Sequence, residues 1–137
     1  MIDKEELEAL IKEEGDFLPV EHEGYEGMCL RMVDGGGNIN GFVKIPEGHK
    51  LHGIDCDDDT FPNLNVHGGI TFSLNYNLKT KEKDEWWIGF DTSHNGDYMP
   101  YYTHFDGEEY RDMQYVEQEI INLINQLIEI EQKKNEK

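Results

Sequence analysis

Apolar residues recur along this chain with two different periods, and the switch between them divides it into elements. From Tyr110 to Glu131, Met113, Val116, Ile120, Leu123, Ile124 and Leu127 follow one another at steps of three and four, the spacing that gathers side chains on one face of an α-helix. The stripe predicts a long C-terminal helix docked on a core, and its isoleucines would also suit pairing with a second copy of the chain. Asp106 with Glu109, or Asp112 a turn later, can cap its start, and the lysines of "QKKNEK" favour the C-terminal end of its dipole. A shorter stripe of Ile2, Leu7, Leu10 and Ile11 predicts a helix over 2–14, with Asp3 as N-cap, Glu6 at the capping-box position and Gly15 as its stop.

Between the helices the period falls to two. "HGGITFSLNY" (67–76) alternates Ile70, Phe72, Leu74 and Tyr76 with His67, Gly69, Thr71, Ser73 and Asn75, and "DEWWIGFD" (84–91) alternates Trp86, Ile88 and Phe90 with Trp87, Gly89 and Asp91. Such alternation predicts half-buried strands. The polar "LKTKEK" between them predicts an antiparallel hairpin with the two apolar sets together on the core. "MCLRMV" (28–33) and "GFVKIP" (41–46) flank "DGGGNIN", a second hairpin whose glycines and asparagines suit a tight reversal. Neither a P-loop nor a GxGxxG helix start is present. "EGHKLHGIDCDDDTFPNLNV" (47–66) is a long connection without a period, and its acidic run lacks EF-hand spacing. The expected class is α+β: one domain over 1–137, an antiparallel sheet with a short N-terminal and a long C-terminal helix packed on one face.

Charge narrows the partners. Thirty acidic against twelve basic side chains give a net charge of −18, and the only arginines are Arg31 and Arg111. A polyanion of this kind repels nucleic acid and anionic membrane, so direct nucleic-acid binding is not expected. An acidic surface can instead imitate nucleic acid and occupy a basic groove on another protein. No apolar run reaches the roughly 20 residues of a membrane span, and the acidic N-terminus is unlike a signal peptide. A cytoplasmic protein is expected, with Cys29 and Cys56 as reduced thiols.

With the apolar strand faces together on the core, His67, Thr71, Ser73, Trp87 and Asp91 are expected on the opposite face, beside the loop residues His94 and Asp97. An indole, two imidazoles and two carboxylates on one patch suggest a ligand pocket. The same letters also suit turn capping and plain exposure. As a pocket, the patch admits two chemistries. His67, Asp91 and His94 can be read as a two-His-one-carboxylate metal triad activating water. Alternatively Trp87 or a tyrosine of "YMPYY" stacks on a planar base while Arg31 or Arg111 takes an anionic group. No nucleophile motif is present, and no catalytic residue or cofactor is assigned.

The ordered blocks "GFVKIPEGH", "GIDCDDDTFPNLNVHGGITFS", "WWIGFDTSHNGDYMP" and "YRDMQYVEQEI" resemble a family of small accessory proteins of tailed bacteriophages and prophages of Gram-positive bacteria. The likeness covers roughly 41–120. Members often carry Cys-Ala where this chain has Thr92-Ser93, which argues against a cysteine-dependent activity. The resemblance implies a phage accessory protein and adds weight to His49, His67, Asp91, His94 and Asp97 as site residues. The expected function is counter-defence in the host cell by binding a nucleotide-like small molecule through His67, Thr71, Trp87, Asp91, His94, Asp97, His49 and Arg111. The alternatives are a metal-dependent hydrolase of such a ligand and an acidic inhibitor that mimics nucleic acid against a host defence protein.

Overall fold

The computed structural model describes residues 3–102 and 107–135. The chain forms α1 (Lys4–Glu14), β1 (Phe17–His22), β2 (Tyr25–Arg31), β3 (Ile39–Ile45), β4 (Phe72–Tyr76), β5 (Lys83–Phe90) and α2 (Met113–Asn135). The strands make one antiparallel sheet in the order β1-β2-β3-β5-β4. The class is therefore the expected α+β, with α2 across β1, β2 and β3.

α1 begins as its sequence dictates. The Asp3 side chain accepts from Glu6 N–H at 2.8 Å, and Gly15 ends the helix. Ile2 and Asp106 lie outside the described residues. Asp112 caps α2, its Oδ1 accepting from Tyr115 N–H at 2.8 Å, and Glu14 of α1 accepts from Met113 N–H at 2.6 Å. A carboxylate at this end satisfies amides that have no helical partner.

α2 docks through the predicted stripe. Met113, Val116, Ile120, Leu123, Ile124 and Leu127 are all buried, against Cys29, Ile39, Val43, Ile88 and Phe90. Two glycines set the depth of the contact. A Cβ on Gly27 would stand 2.7 Å from Ile120 Cγ2, and one on Gly41 would stand 2.4 Å from the Phe90 ring and 3.1 Å from Ile120 Cγ1. Bare backbone at both positions lets the helix settle onto the sheet. Cys29 lies in this core, where burial, with Glu117 and Glu14 adding to it, pushes its thiol up to about 12.

The sheet is also apolar on its outer face, which corrects the expectation of a polar one. Phe72 pairs with Gly89 and Leu74 with Trp87, and residues directly opposite in an antiparallel pair share a face. Phe72 and Leu74 therefore lie on the Trp87 side, away from Ile88 and Phe90. There they form a second cluster with Met28 and Phe42. The β4–β5 loop folds over this cluster, bringing in Leu78 and setting Lys79 Nζ 4.9 Å from the Phe17 ring centroid.

β1 is the strand that the hydrophobic pattern does not announce, because Pro19 and the polar His22-Glu23 interrupt it. It sits at a sheet edge, where proline is tolerated. Glu23 and Gly24, both at positive φ (51° and 83°), make its two-residue turn into β2.

Candidate functional site

The two motif segments do converge, at the end of β5 beside the start of α2, as two polar knots. Asp97, 2% exposed, forms the first. Its carboxylate accepts from His67 Nε2 at 2.9 Å, from Arg111 Nε at 3.0 Å and from the His94 backbone N–H at 3.1 Å. Because Nε2 carries the proton toward this carboxylate, a neutral His67 accepts at Nδ1 from the Tyr115 hydroxyl, 2.8 Å away. His67 N–H donates to Glu119 Oε1 at 2.8 Å. Arg111 also donates to Glu109 at 3.0 Å and lies 5.1 Å from the Tyr115 ring centroid. Burial, followed by the Glu119 charge, raises the Tyr115 hydroxyl's pKa.

Asp91 forms the second knot. Its Oδ2 accepts from the Thr71 hydroxyl at 2.9 Å, and its Oδ1 accepts from the Ser93 hydroxyl at 2.7 Å and the Ser93 N–H at 3.1 Å. Burial by itself would raise this carboxyl, but the Ser93 and Thr71 bonds and the nearby His94 together hold it below the usual carboxylate range. His94 Nε2 lies 3.0 Å from Asp91 Oδ1, at an angle that makes the contact electrostatic rather than a hydrogen bond. Its ring rests on Gly68, where a Cβ would meet Nε2 at 2.1 Å, and Gly68 also has φ 70°. Only glycine meets both conditions, so the "HGG" turn and the "SHNGD" loop are built to touch.

Four expectations need correction. Trp87 is 2% exposed in the outer-face cluster and donates to Glu85 at 3.0 Å. The space above Gly89 is filled by Phe42, which a Cβ would meet at 2.6 Å, so no ligand room opens beside the indole. His49 is buried, its Nε2 paired with the Leu127 carbonyl at 2.9 Å and its Nδ1 accepting from Leu51 N–H at 3.0 Å. It is therefore a structural pin between the 47–66 connection and α2. Arg31 is also structural, with Nε, Nη1 and Nη2 donating to the Gly15 and Gly37 carbonyls, Asp16, Glu14 and the Tyr110 hydroxyl. Finally, His67, Asp91 and His94 do not assemble as metal ligands: both His67 ring nitrogens are committed, to the Tyr115 hydroxyl and the Asp97 carboxylate, and the donor atoms of the three side chains are not gathered within reach of one ion. Among the described residues, three such donors come within reach of one ion at Asp55, Cys56 and Asp57, an open turn outside this site.

A cavity of about 610 Å³ opens on the outer side of the sheet, next to the Asp91 knot. Asp91 and Ser93 wall it, and Asn38 and Asn40, 4% and 3% exposed, contribute two carboxamides. Asn38 Nδ2 donates to Asn40 Oδ1 at 2.8 Å, which fixes both amide planes. Phe72, Met99 and Tyr102 supply apolar and aromatic surface, and Lys81 a cation. His67, Asp97 and Arg111 are not in the lining; they hold the loop that carries Asp91 and Ser93. The two asparagines sit in "GGGNIN", where a turn explains the letters equally well. Their spacing of two, on the face opposite Ile39, is the one signal that marked them. No family model, curated protein or solved structure matches the chain. Among the described residues, no helix is long and apolar enough to cross a membrane.

Proposed function

We propose that the protein binds a nucleotide-like small molecule in the Asp91 cavity, as an accessory protein of a bacteriophage or prophage acting against a host defence in the host cytoplasm. The observation that carries the reading is the make-up of that cavity. Its volume of about 610 Å³ lies within the roughly 300–1,000 Å³ typical of small-molecule sites. Phe72 and Tyr102 offer faces for a planar base, on which stacking is worth about 1–3 kcal/mol. The Asn38 and Asn40 carboxamides, Ser93 and Asp91 offer donors and acceptors for its polar edge, and Lys81 takes the anionic group. The biological setting rests on the resemblance of the "VHGGITF" and "WWIGFDTSHNGD" blocks to phage accessory proteins. A metal-dependent hydrolase is less well supported, because His67 has no free ring nitrogen for an ion.

Isothermal titration with adenosine and guanosine monophosphates tests the reading. At least one is expected to bind, and Phe72→Leu should weaken it about tenfold by removing the stacking face. Lys81→Asn should weaken it several-fold while preserving the positive φ of that position, which asparagine tolerates. Chelator treatment should leave the affinity unchanged. The absence of any nucleotide binding, or binding indifferent to both variants, would overturn the proposal.

A further inference from the structure

The segment Tyr98–Tyr102 leaves the Asp97 knot and runs between two cavities. Met99 lines the Asp91 cavity, whereas Tyr98, Pro100 and Tyr101 line a second one, also about 610 Å³, whose far wall is α1. Tyr102 borders both. The partition is held in place: Tyr101 N–H donates to the Gly36 carbonyl at 2.9 Å, and its ring lies where a Cβ on Gly37 would meet it at 2.8 Å. Tyr102, 53% exposed, stands at the shared rim.

The second cavity is unusual in charge. In a chain of net charge −18, its α1 wall presents Lys4 and Lys12 against a single acid, Glu8. The lysines are eight residues apart, and Leu7 and Ile11 between them share the same wall, so two cations and three tyrosines border one cavity. Among the described residues neither lysine makes an ion pair. Aromatic faces with two uncommitted cations are the surroundings in which a planar ring carrying phosphate is stabilised.

We propose that the ligand is bipartite: two planar heads joined by a phosphate-bearing linker, a dinucleotide in chemical class, with one head in each cavity and the linker crossing the rim at Tyr102. Lys81 then lies on one side of the linker's charge and Lys4 and Lys12 on the other. The inference rests on the Asp91 cavity as a nucleotide site and specifies what occupies it. Tethering makes the second head's binding intramolecular, so a two-headed ligand gains on the order of 100-fold over one head.

Titration of the full chain with adenosine monophosphate, adenylyl-(3′,5′)-adenosine and pyrophosphate-linked diadenosine tests this. At least one two-headed probe should bind about 100-fold tighter than the mononucleotide. The double variant Lys4→Glu, Lys12→Glu, on an exposed helix face, should bring that probe down to the mononucleotide's affinity and leave the Phe72-dependent binding of the mononucleotide unaffected. Equal affinities for one-headed and two-headed probes, or an unchanged two-headed affinity in the double variant, overturn the bipartite ligand while Phe72-dependent mononucleotide binding keeps the Asp91 site standing. Failure of all three probes to bind overturns the bipartite ligand, and overturns the Asp91 site as well when guanosine monophosphate is also not bound.

Discussion

Ile120 and Gly27 make a matched pair whose coupling can be measured. Ile120 is fully buried in the N-terminal half of α2, and its Cγ2 is 2.7 Å from where a Gly27 Cβ would stand. Ile120→Ala leaves a void floored by two glycines, with no side chain there to relax into it. Its cost should therefore fall in the upper part of the usual range, about 3–5 kcal/mol. An unfolding entropy of about 2.1 cal/mol/K per residue gives roughly 0.29 kcal/mol/K for 137 residues, so a loss of 3 kcal/mol lowers Tm by about 10 °C. Gly27→Ala is the opposite error, overpacking, and should cost about 1–3 kcal/mol. In the double variant the new methyl enters the space left by Ile120, so the combined loss should be smaller than the sum by about 1 kcal/mol or more. Urea unfolding of the four proteins at one temperature measures the cycle. Additive losses, or an Ile120→Ala cost below about 1 kcal/mol, would mean that the helix does not seat on the glycines.

Asp91 carries a pH signature: because its folded pKa is depressed, its contribution is fully present above the ordinary Asp value and is lost as pH falls through the folded value. Wild type should be more stable than Asp91→Asn at pH 7 and the gap should narrow as pH falls below the ordinary Asp value; a gap that does not change as pH is lowered through the acid range would refute the assignment. Trp87→Ala should cost about 3–5 kcal/mol as a core truncation, yet the protein that remains folded should keep its nucleotide affinity; a selective loss of binding in a stable protein would return the indole to the site. His49→Phe removes the imidazole's pairing with Leu127 O and Leu51 N–H and should cost about 1–3 kcal/mol, read by thermal melting, with no change in ligand affinity. Gel-shift assays at physiological salt should show no duplex DNA binding, since a charge of −18 repels it, and tight salt-sensitive binding would contradict the electrostatic reasoning.

Local features of the chain carried the helices. The α2 stripe allows one element only, because steps of three and four close on a single helical face and on neither face of a strand. The Asp3 cap and the Gly15 stop depend on residues three or four positions apart, so they too were legible. The meeting of "VHGG" with "SHNGD" was legible in part, because two flanking strands that pair must bring their ends together. Which face of β4 pointed inward was not. A period of two is symmetric, and both sets of alternating residues in β5 include large apolar side chains, so only the register Phe72↔Gly89 and Leu74↔Trp87 decides the matter. That register put Trp87 under Phe72, Leu74 and Phe42 and removed it from the site. The roles of Arg31 and His49 depended on partners far along the chain, Tyr110 and Leu127. Burial converts a polar side chain from a ligand group into a structural one only when such partners arrive. The cavity itself draws Asn38 and Asn40 from one hairpin, Phe72 and Lys81 from another and Tyr102 from the loop before α2. A concave surface exists only between elements, and the packing of the two hairpins and the 91–102 segment decided where it would be.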